Sequence, residues 1–375
     1  MAHASAVPTP RRPRFVRLAL RLGLSLGVGA FFVWVMREAE LPWLPGREAF
    51  ARVHWWTAVA YLIGWSIVHV LRAARWQLLL SPIATVSLKR VCAASFVGFL
   101  AIMLLPFRTG EVVRPVLIRE KGRLSAWAAL GTLGAERIVD GLVFCLILFA
   151  GLWLSTPLDP LPERLGELAI PVAVVPQFAY AALFGFSLAL CAMGAFYVWK
   201  APARRLTEFV IGFFSKPLAE WGAARVEKLA SGLRFLSGVR HSLPFVLVTI
   251  AYWTLNAACT WLLAWGVGFP NFSYAQACVV TGVLALGVLL PNAPAFFGAF
   301  QFALYAGLAM FYPKEQVLSE GSVLVLVVYA GQTLVTVGFA IWGVVVAGVG
   351  GGWQRFGIGE EGVWEGELGE GGRER

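Results

Sequence analysis

Apolar residues run in long blocks along this chain, and most of the charge sits at the joints between them. Blocks near residues 18–36, 55–80, 127–155, 171–199, 244–268 and 322–349 reach the length a helix needs to cross a bilayer. Two shorter blocks, 91–105 and 275–290, each run into a proline. The pattern predicts an all-α polytopic membrane protein with about 6–9 transmembrane segments. Arg11, Arg12, Arg14 and Arg17 precede the first block, and no small-residue cleavage site follows Met36, so that block reads as an uncleaved span.

Charge in the joints orients the blocks, because Lys and Arg collect on the cytoplasmic side. Residues 1–17 are basic and are expected inside. Residues 37–53 balance three Arg against three Glu and fit the outside. Arg72, Arg75, Lys89 and Arg90 mark the next joint as inside. Residues 106–125 carry five Lys/Arg and two Glu, so they also read as inside. A full crossing by 91–105 conflicts with that. A re-entrant hairpin removes the conflict: 91–105 enters and 106–118 returns, a geometry tolerated where the broken backbone is buried in protein or lines a wet cavity.

The remaining joints alternate. Residues 156–170 hold one Arg and three acids and fit the outside, and 200–243 hold eight Lys/Arg and three Glu and fit the inside. Residues 275–312 then form a second hairpin entering from the outside, and 322–349 crosses back, leaving both termini cytoplasmic. Leu104-Leu105-Pro106 and Leu289-Leu290-Pro291 end comparable runs, with Ala60-Tyr61 and Ala251-Tyr252 at similar distances upstream. Two inverted repeats with broken helices at the midplane fit these features. Eight or nine plain spans are the alternative. Residues 18–349 thus read as one membrane domain. Within it, Val226, Leu229, Leu233 and Leu236 give 200–243 an amphipathic stripe suited to a cytoplasmic membrane surface. The Gly/Glu-rich residues 350–375 read as a disordered tail.

Composition narrows the function. Apolar residues make up 59% of the chain and charged ones 14%, against about a quarter charged in soluble domains. The net charge of +10 lies in the joints, which argues against nucleic acid as a partner. The five cysteines lie singly within apolar stretches and read as packing residues. No cofactor motif, no metal-ligand spacing and no nucleophile paired with a base is legible, so no catalytic or metal residue is assigned.

Charges inside apolar sequence are costly and mark function or tight pairing. One set is Pro106-Phe107-Arg108-Thr109-Gly110-Glu111-Val112-Val113-Arg114-Pro115, where Glu111 is spaced to touch both Arg108 and Arg114. The other is Glu136-Arg137-Ile138-Val139-Asp140, within a long apolar block. These six charges sum to zero, which a purely structural salt-bridge cluster would satisfy. The functional reading assigns Arg108, Arg114 and Arg137 to a lipid head group, since the guanidinium fork matches phosphate. Glu111, Glu136 and Asp140 then serve as ion-pair or proton-gating partners. Along 55–80, Trp65, His69, Arg72 and Trp76 form a polar stripe. His69 and Arg72 are candidates for a cavity wall; the plainer reading packs His69 in its helix and lets Arg72 and Arg75 snorkel to head groups.

The run PFRTGEVVRPVLIREKGRLSAWAALGTLGAERIVDGL resembles the flippase-like family, the transmembrane region of lysylphosphatidylglycerol synthases and its stand-alone relatives. Pro106, Arg108, Gly110, Glu111 and Arg114 match its first motif, followed by Glu136, Arg137 and Asp140. A second motif is matched by Pro291, Pro294 and Gly298, with Ala295 in place of a glycine and Gln301 where an acid is common. Pro106, Gly110, Pro291, Pro294 and Gly298 would shape the hairpin backbones, and Asn292 and Gln301 are further candidates for the cavity wall. The resemblance covers roughly residues 20–345.

It implies binding or translocation of an anionic phospholipid or a polyprenyl-phosphate-linked lipid in a bacterial-type inner membrane, without a cofactor. Aminoacyl transfer is not expected, because the soluble domain of the bifunctional members does not follow. The alternatives are a membrane enzyme of envelope lipid or glycolipid synthesis, with Glu111, Glu136 or Asp140 as base, and an accessory protein for such an enzyme. Membrane lipids are the expected partners, with an envelope-biosynthesis protein or a second copy of the chain as further candidates.

Overall fold

The computed structural model describes residues 14–120, 122–167, 171–199, 231–289 and 293–349. Their regular structure is helical, in the order α1 (Arg14–Glu38), α2 (Arg47–Ala51), α3 (Trp55–Ala74), α4 (Trp76–Leu80), α5 (Leu88–Leu104), α6 (Val113–Ile118), α7 (Ala126–Leu154) and α8 (Val174–Val198). Then follow α9 (Val239–Val267), α10 (Tyr274–Leu289), α11 (Ala299–Ala309), α12 (Lys314–Leu318) and α13 (Glu320–Val349). Among the described residues five stretches are long and apolar enough to cross a membrane: Trp55–Leu80, Ala126–Leu154, Val174–Ala195, Val239–Val267 and Lys314–Val346. The chain is an all-α polytopic membrane protein, and its helices follow the apolar blocks to within a few residues.

Loop contacts gather the helix ends into two groups. At one end the Glu167 amide donates to the Ala39 carbonyl (3.1 Å), Leu158 to Met310 (2.8 Å) and His54 to Gly266 (2.8 Å). Lys314 also bonds Glu167 there. At the other end Arg90 pairs with Glu120 at 3.1 Å and donates to the Arg119 carbonyl at 2.9 Å. This second group holds Lys89, Arg90, Arg119 and Arg123 and is the basic end.

Helix α5 leaves the basic end and stops at Leu105, which is extended (φ −90°, ψ 137°), as the residue before a proline prefers. Pro106 opens a 3-10 turn over Pro106–Val112, where its missing N–H costs nothing. Gly110 lets that turn lie against α5: a Cβ there would sit 2.2 Å from the backbone of Ala101. The short α6 then carries the chain back to the basic end, beside Arg90.

Helices α10 and α11 make the opposite hairpin. Both its ends lie with the first group of loops, where Tyr312 donates to Gln276 (3.1 Å) and stacks with Phe272. Its tip, a 3-10 turn at Pro294–Phe296, carries positive φ at Ala295 (59°) and Phe296 (56°). The two tips meet inside the bundle, where Arg108, itself at φ 55°, donates through Nη1 to the Val288 carbonyl at 2.9 Å. That carbonyl lies in the last turn of α10, where helix carbonyls lack an internal partner.

Two expectations change. The 55–80 block is two helices: α3 ends at Ala74 and α4 begins at Trp76, so Arg75 sits at a joint. Leu233, placed on a surface stripe from sequence, lies in a short 3-10 turn and is buried in the core with Trp76 and Leu133. The rest of that stripe at 200–230, the N-terminal 1–13, the tail at 350–375, and Pro291 and Asn292 lie outside the described residues.

Candidate functional site

The charges of the first hairpin and of α7 form one network around the joint between α3 and α4. Glu136, one turn before Asp140 on α7, takes Arg114 in a fork, with Nη1 and Nη2 at 3.0 and 3.2 Å from its two oxygens. Arg75 bridges the two carboxylates, at 3.3 Å from Glu136 and 2.6 Å from Asp140. Its other terminal nitrogen donates to Thr249 (2.7 Å), and Tyr252 donates to the second oxygen of Asp140 (2.6 Å). Arg75 and Arg114 are both 0% exposed in their side chains. Each also meets aromatic rings: Arg75 those of Tyr252 and Phe245, Arg114 those of Trp76 and Phe99. Arg114 fits because α5 presents Gly98, where a Cβ would come within 2.1 Å of its Cγ.

Removing one member of such a buried set would leave an uncompensated charge, which costs about 3–5 kcal/mol. Desolvation offsets much of the pairing energy, so the network's main contribution is geometric. It ties α3, α6, α7 and α9 together behind a cavity.

That cavity has a volume of about 190 Å³ and lies between the two hairpin tips. Arg72, Arg108, Arg137 and Asp140 are the charged residues on its wall among those described. Arg108 and Arg137 keep 21% and 23% of their side chains exposed, and Arg72 is part-exposed as well. Arg108 pairs with Glu111 at 2.9 Å. Arg137 has carboxylate oxygens of Glu111, Glu136 and Asp140 at 3.4, 3.6 and 3.8 Å, and its Nε has no hydrogen-bond partner among the described residues. Arg72 makes no ion pair among the described residues; its guanidinium lies over the Phe99 ring at 4.9 Å. Phe144, Phe186, Leu284 and Phe296 supply apolar wall, and Asn256, Thr281 and Gln332 polar wall.

The predicted site residues therefore divide into two sets. Arg108, Arg137, Asp140, Arg72 and His69 reach the cavity, whereas Arg114 and Glu136 are enclosed behind it. Glu111 pairs with Arg108 and Arg137, while Arg114 turns to Glu136. His69 is buried and stacks on Phe96 at 5.4 Å. Gln301 is not at the wall: its Oε1 accepts the Gly298 amide at 2.8 Å and so caps α11, since the first amides of a helix have no internal acceptor. A glutamine can fill this capping role where an acid is common. Pro294 opens the second tip, and Gly298 (φ 84°) ends it.

Sequence reading set Arg75 at the head groups, and the structure corrects this, because the α3–α4 joint turns the side chain inward onto Glu136 and Asp140. The six-charge sum of zero also changes once Arg72 and Arg75 join the cluster. Tyr252 and Thr249 were not foreseen as partners; the one legible signal was Ala251-Tyr252, noted for the repeat. Among the described residues no set of three His, Cys, Asp or Glu side chains gathers to hold a metal.

The pattern describing the lysylphosphatidylglycerol synthase TM region matches residues 19–341. No curated protein and no solved structure matches the chain.

Proposed function

The chain belongs to the family of the lysylphosphatidylglycerol synthase transmembrane region, and from that premise we propose that it binds the head group of an anionic lipid between its two hairpins and carries it across the membrane. The observation that carries this reading is the cavity wall. Three part-exposed arginines face a space enclosed by apolar helices. At membrane depth such charges usually face a ligand, an ion path or a partner. A guanidinium offers paired N–H donors to phosphate oxygens.

In this reading Glu111 is the exchangeable partner. It holds Arg108 and Arg137 while the cavity is free, and a phosphate displaces it. Arg75, Arg114 and Glu136 fix the wall from behind and do not touch the lipid, and Tyr252 on the wall holds Asp140 in place. The tails stay among apolar helix faces. The hairpins, entering from opposite ends, re-enter the bilayer, and alternate opening at the two ends moves the head group. The basic end is cytoplasmic by the charge rule, which puts the start of α1 and the end of α13 inside.

Lipid mass spectrometry on gently purified protein tests the binding step. Wild type is expected to carry one anionic lipid class above its share in the membrane, and folded Arg72→Ala/Arg137→Ala to lose it. Equal bulk lipid in both would contradict the proposal. The movement step is checked with the same lipid in proteoliposomes, where wild type exchanges it between leaflets and the variant does not.

A further inference from the structure

We infer that the cavity selects a doubly charged head group, a phosphomonoester or diphosphate on an apolar tail, over a singly charged phosphodiester and against a cationic head group. This rests on reading the cavity as a lipid site and adds which lipid it takes.

Three arginines and one carboxylate line the wall: Arg72, Arg108, Arg137 and Asp140. That is a surplus of two positive charges facing the cavity. The layer behind does not remove it. Behind the wall Arg75 and Arg114 share Glu136, and Glu111 pairs with the wall arginines Arg108 and Arg137, so five arginines against three carboxylates (Glu111, Glu136 and Asp140) still leave the whole network a surplus of two. Nor is Asp140 free to turn to a ligand amine. One of its oxygens is held by Arg75 and the other by Tyr252, both at 2.6 Å.

Unsatisfied donors are concentrated on two of the three arginines. Among the described residues Arg72 makes no ion pair and lies over the Phe99 ring, and Arg137 has carboxylates at 3.4 Å or more and an Nε without a hydrogen-bond partner. The three guanidiniums are near enough to act on one another electrostatically, so an empty cavity holds mutually repelling charge in a poorly solvated place. A phosphodiester neutralises half the surplus. A phosphomonoester, with three acceptor oxygens and a charge near −2 above its second pKa of about 6, neutralises nearly all of it. A lipid with net positive charge adds to the repulsion.

The test measures binding to the full-length protein in neutral detergent by native mass spectrometry with defined probes: phosphatidate, phosphatidylglycerol, lysylphosphatidylglycerol and inorganic phosphate. Phosphatidate is expected to bind at least about tenfold more tightly than phosphatidylglycerol at pH 8, with no specific binding of lysylphosphatidylglycerol. The preference should shrink below about threefold at pH 5.5, where the monoester has lost its second charge. It should also shrink in Arg72→Gln and in Arg137→Gln, each checked for an unchanged unfolding temperature.

Equal binding of phosphatidate and phosphatidylglycerol would overturn this inference and leave the anionic-lipid proposal standing. Tighter binding of lysylphosphatidylglycerol would overturn both. Inorganic phosphate binding as tightly as phosphatidate, with no gain from the tail, would make the cavity a free-anion site and also overturn both.

Discussion

Arg72 and Arg75 stand one turn apart and have opposite surroundings. Arg75 is enclosed and bonded to Asp140 and Thr249, whereas Arg72 lies on the cavity wall over the Phe99 ring and makes no ion pair among the described residues. Arg75→Ala is therefore expected to lower stability by about 3–5 kcal/mol, because two buried carboxylates lose a shared partner. Arg72→Ala should stay within about 0.5 kcal/mol of wild type, as residues outside such networks do, yet lose the co-purifying lipid. Thermal unfolding in detergent separates the two; similar destabilisation by both would contradict the division into a structural and a ligand-facing arginine. The charges at 108–114 and 136–140 were legible because charge inside an apolar run stands out. Arg75 was not, because an arginine near the end of an apolar block looks the same whether it snorkels or turns inward. What decides is the break between α3 and α4, which hydrophobic periodicity does not encode.

The hairpins are the elements that place these side chains. The breaks in the two apolar runs could be read from Pro106 and Pro291. Their meeting point could not, since the Arg108 bond to the Val288 carbonyl joins residues 180 positions apart. Gly110→Val should disrupt the first hairpin, because the new side chain would collide with backbone at Ala101. The expected result is loss of the monodisperse peak in size-exclusion chromatography, and an unchanged peak with unchanged unfolding temperature would contradict this packing. At the loop end the Lys314 ammonium holds the Glu167 carboxyl below its ordinary range. A depressed carboxylate stabilises above its ordinary pKa of about 4.3, and that contribution is lost as pH falls through the lower folded value. Hydrogen exchange in 156–167, corrected for the intrinsic rate, should quicken below about pH 4 in wild type. In Lys314→Met it should be fast at every pH.

At the scale of the whole molecule, the apolar blocks made the helices legible, and among the described residues five of the stretches are long and apolar enough to cross a membrane, the block at 18–36 not among them. Arg52 and Arg123 are exposed, at 70% and 75% of their side chains, and lie at opposite ends of the bundle. Cysteines placed there in a cysteine-free background should react from opposite sides of the membrane, Arg123→Cys from the cytoplasm. Labelling of both from one side would overturn the topology. The cavity itself was not legible as a shape. It forms where two hairpins from opposite ends and α3, α7, α9 and α13 come together, and only their joint packing sets which arginines remain part-exposed.

The most direct measurement is a single-particle structure of the wild type in nanodiscs made from its native lipids. Density for a phosphate within hydrogen-bond distance of Arg72 and Arg137, continuous with a tail leading to the bilayer, is the predicted result. An ordered lipid ring around the outside with only water between the hairpin tips would contradict the account.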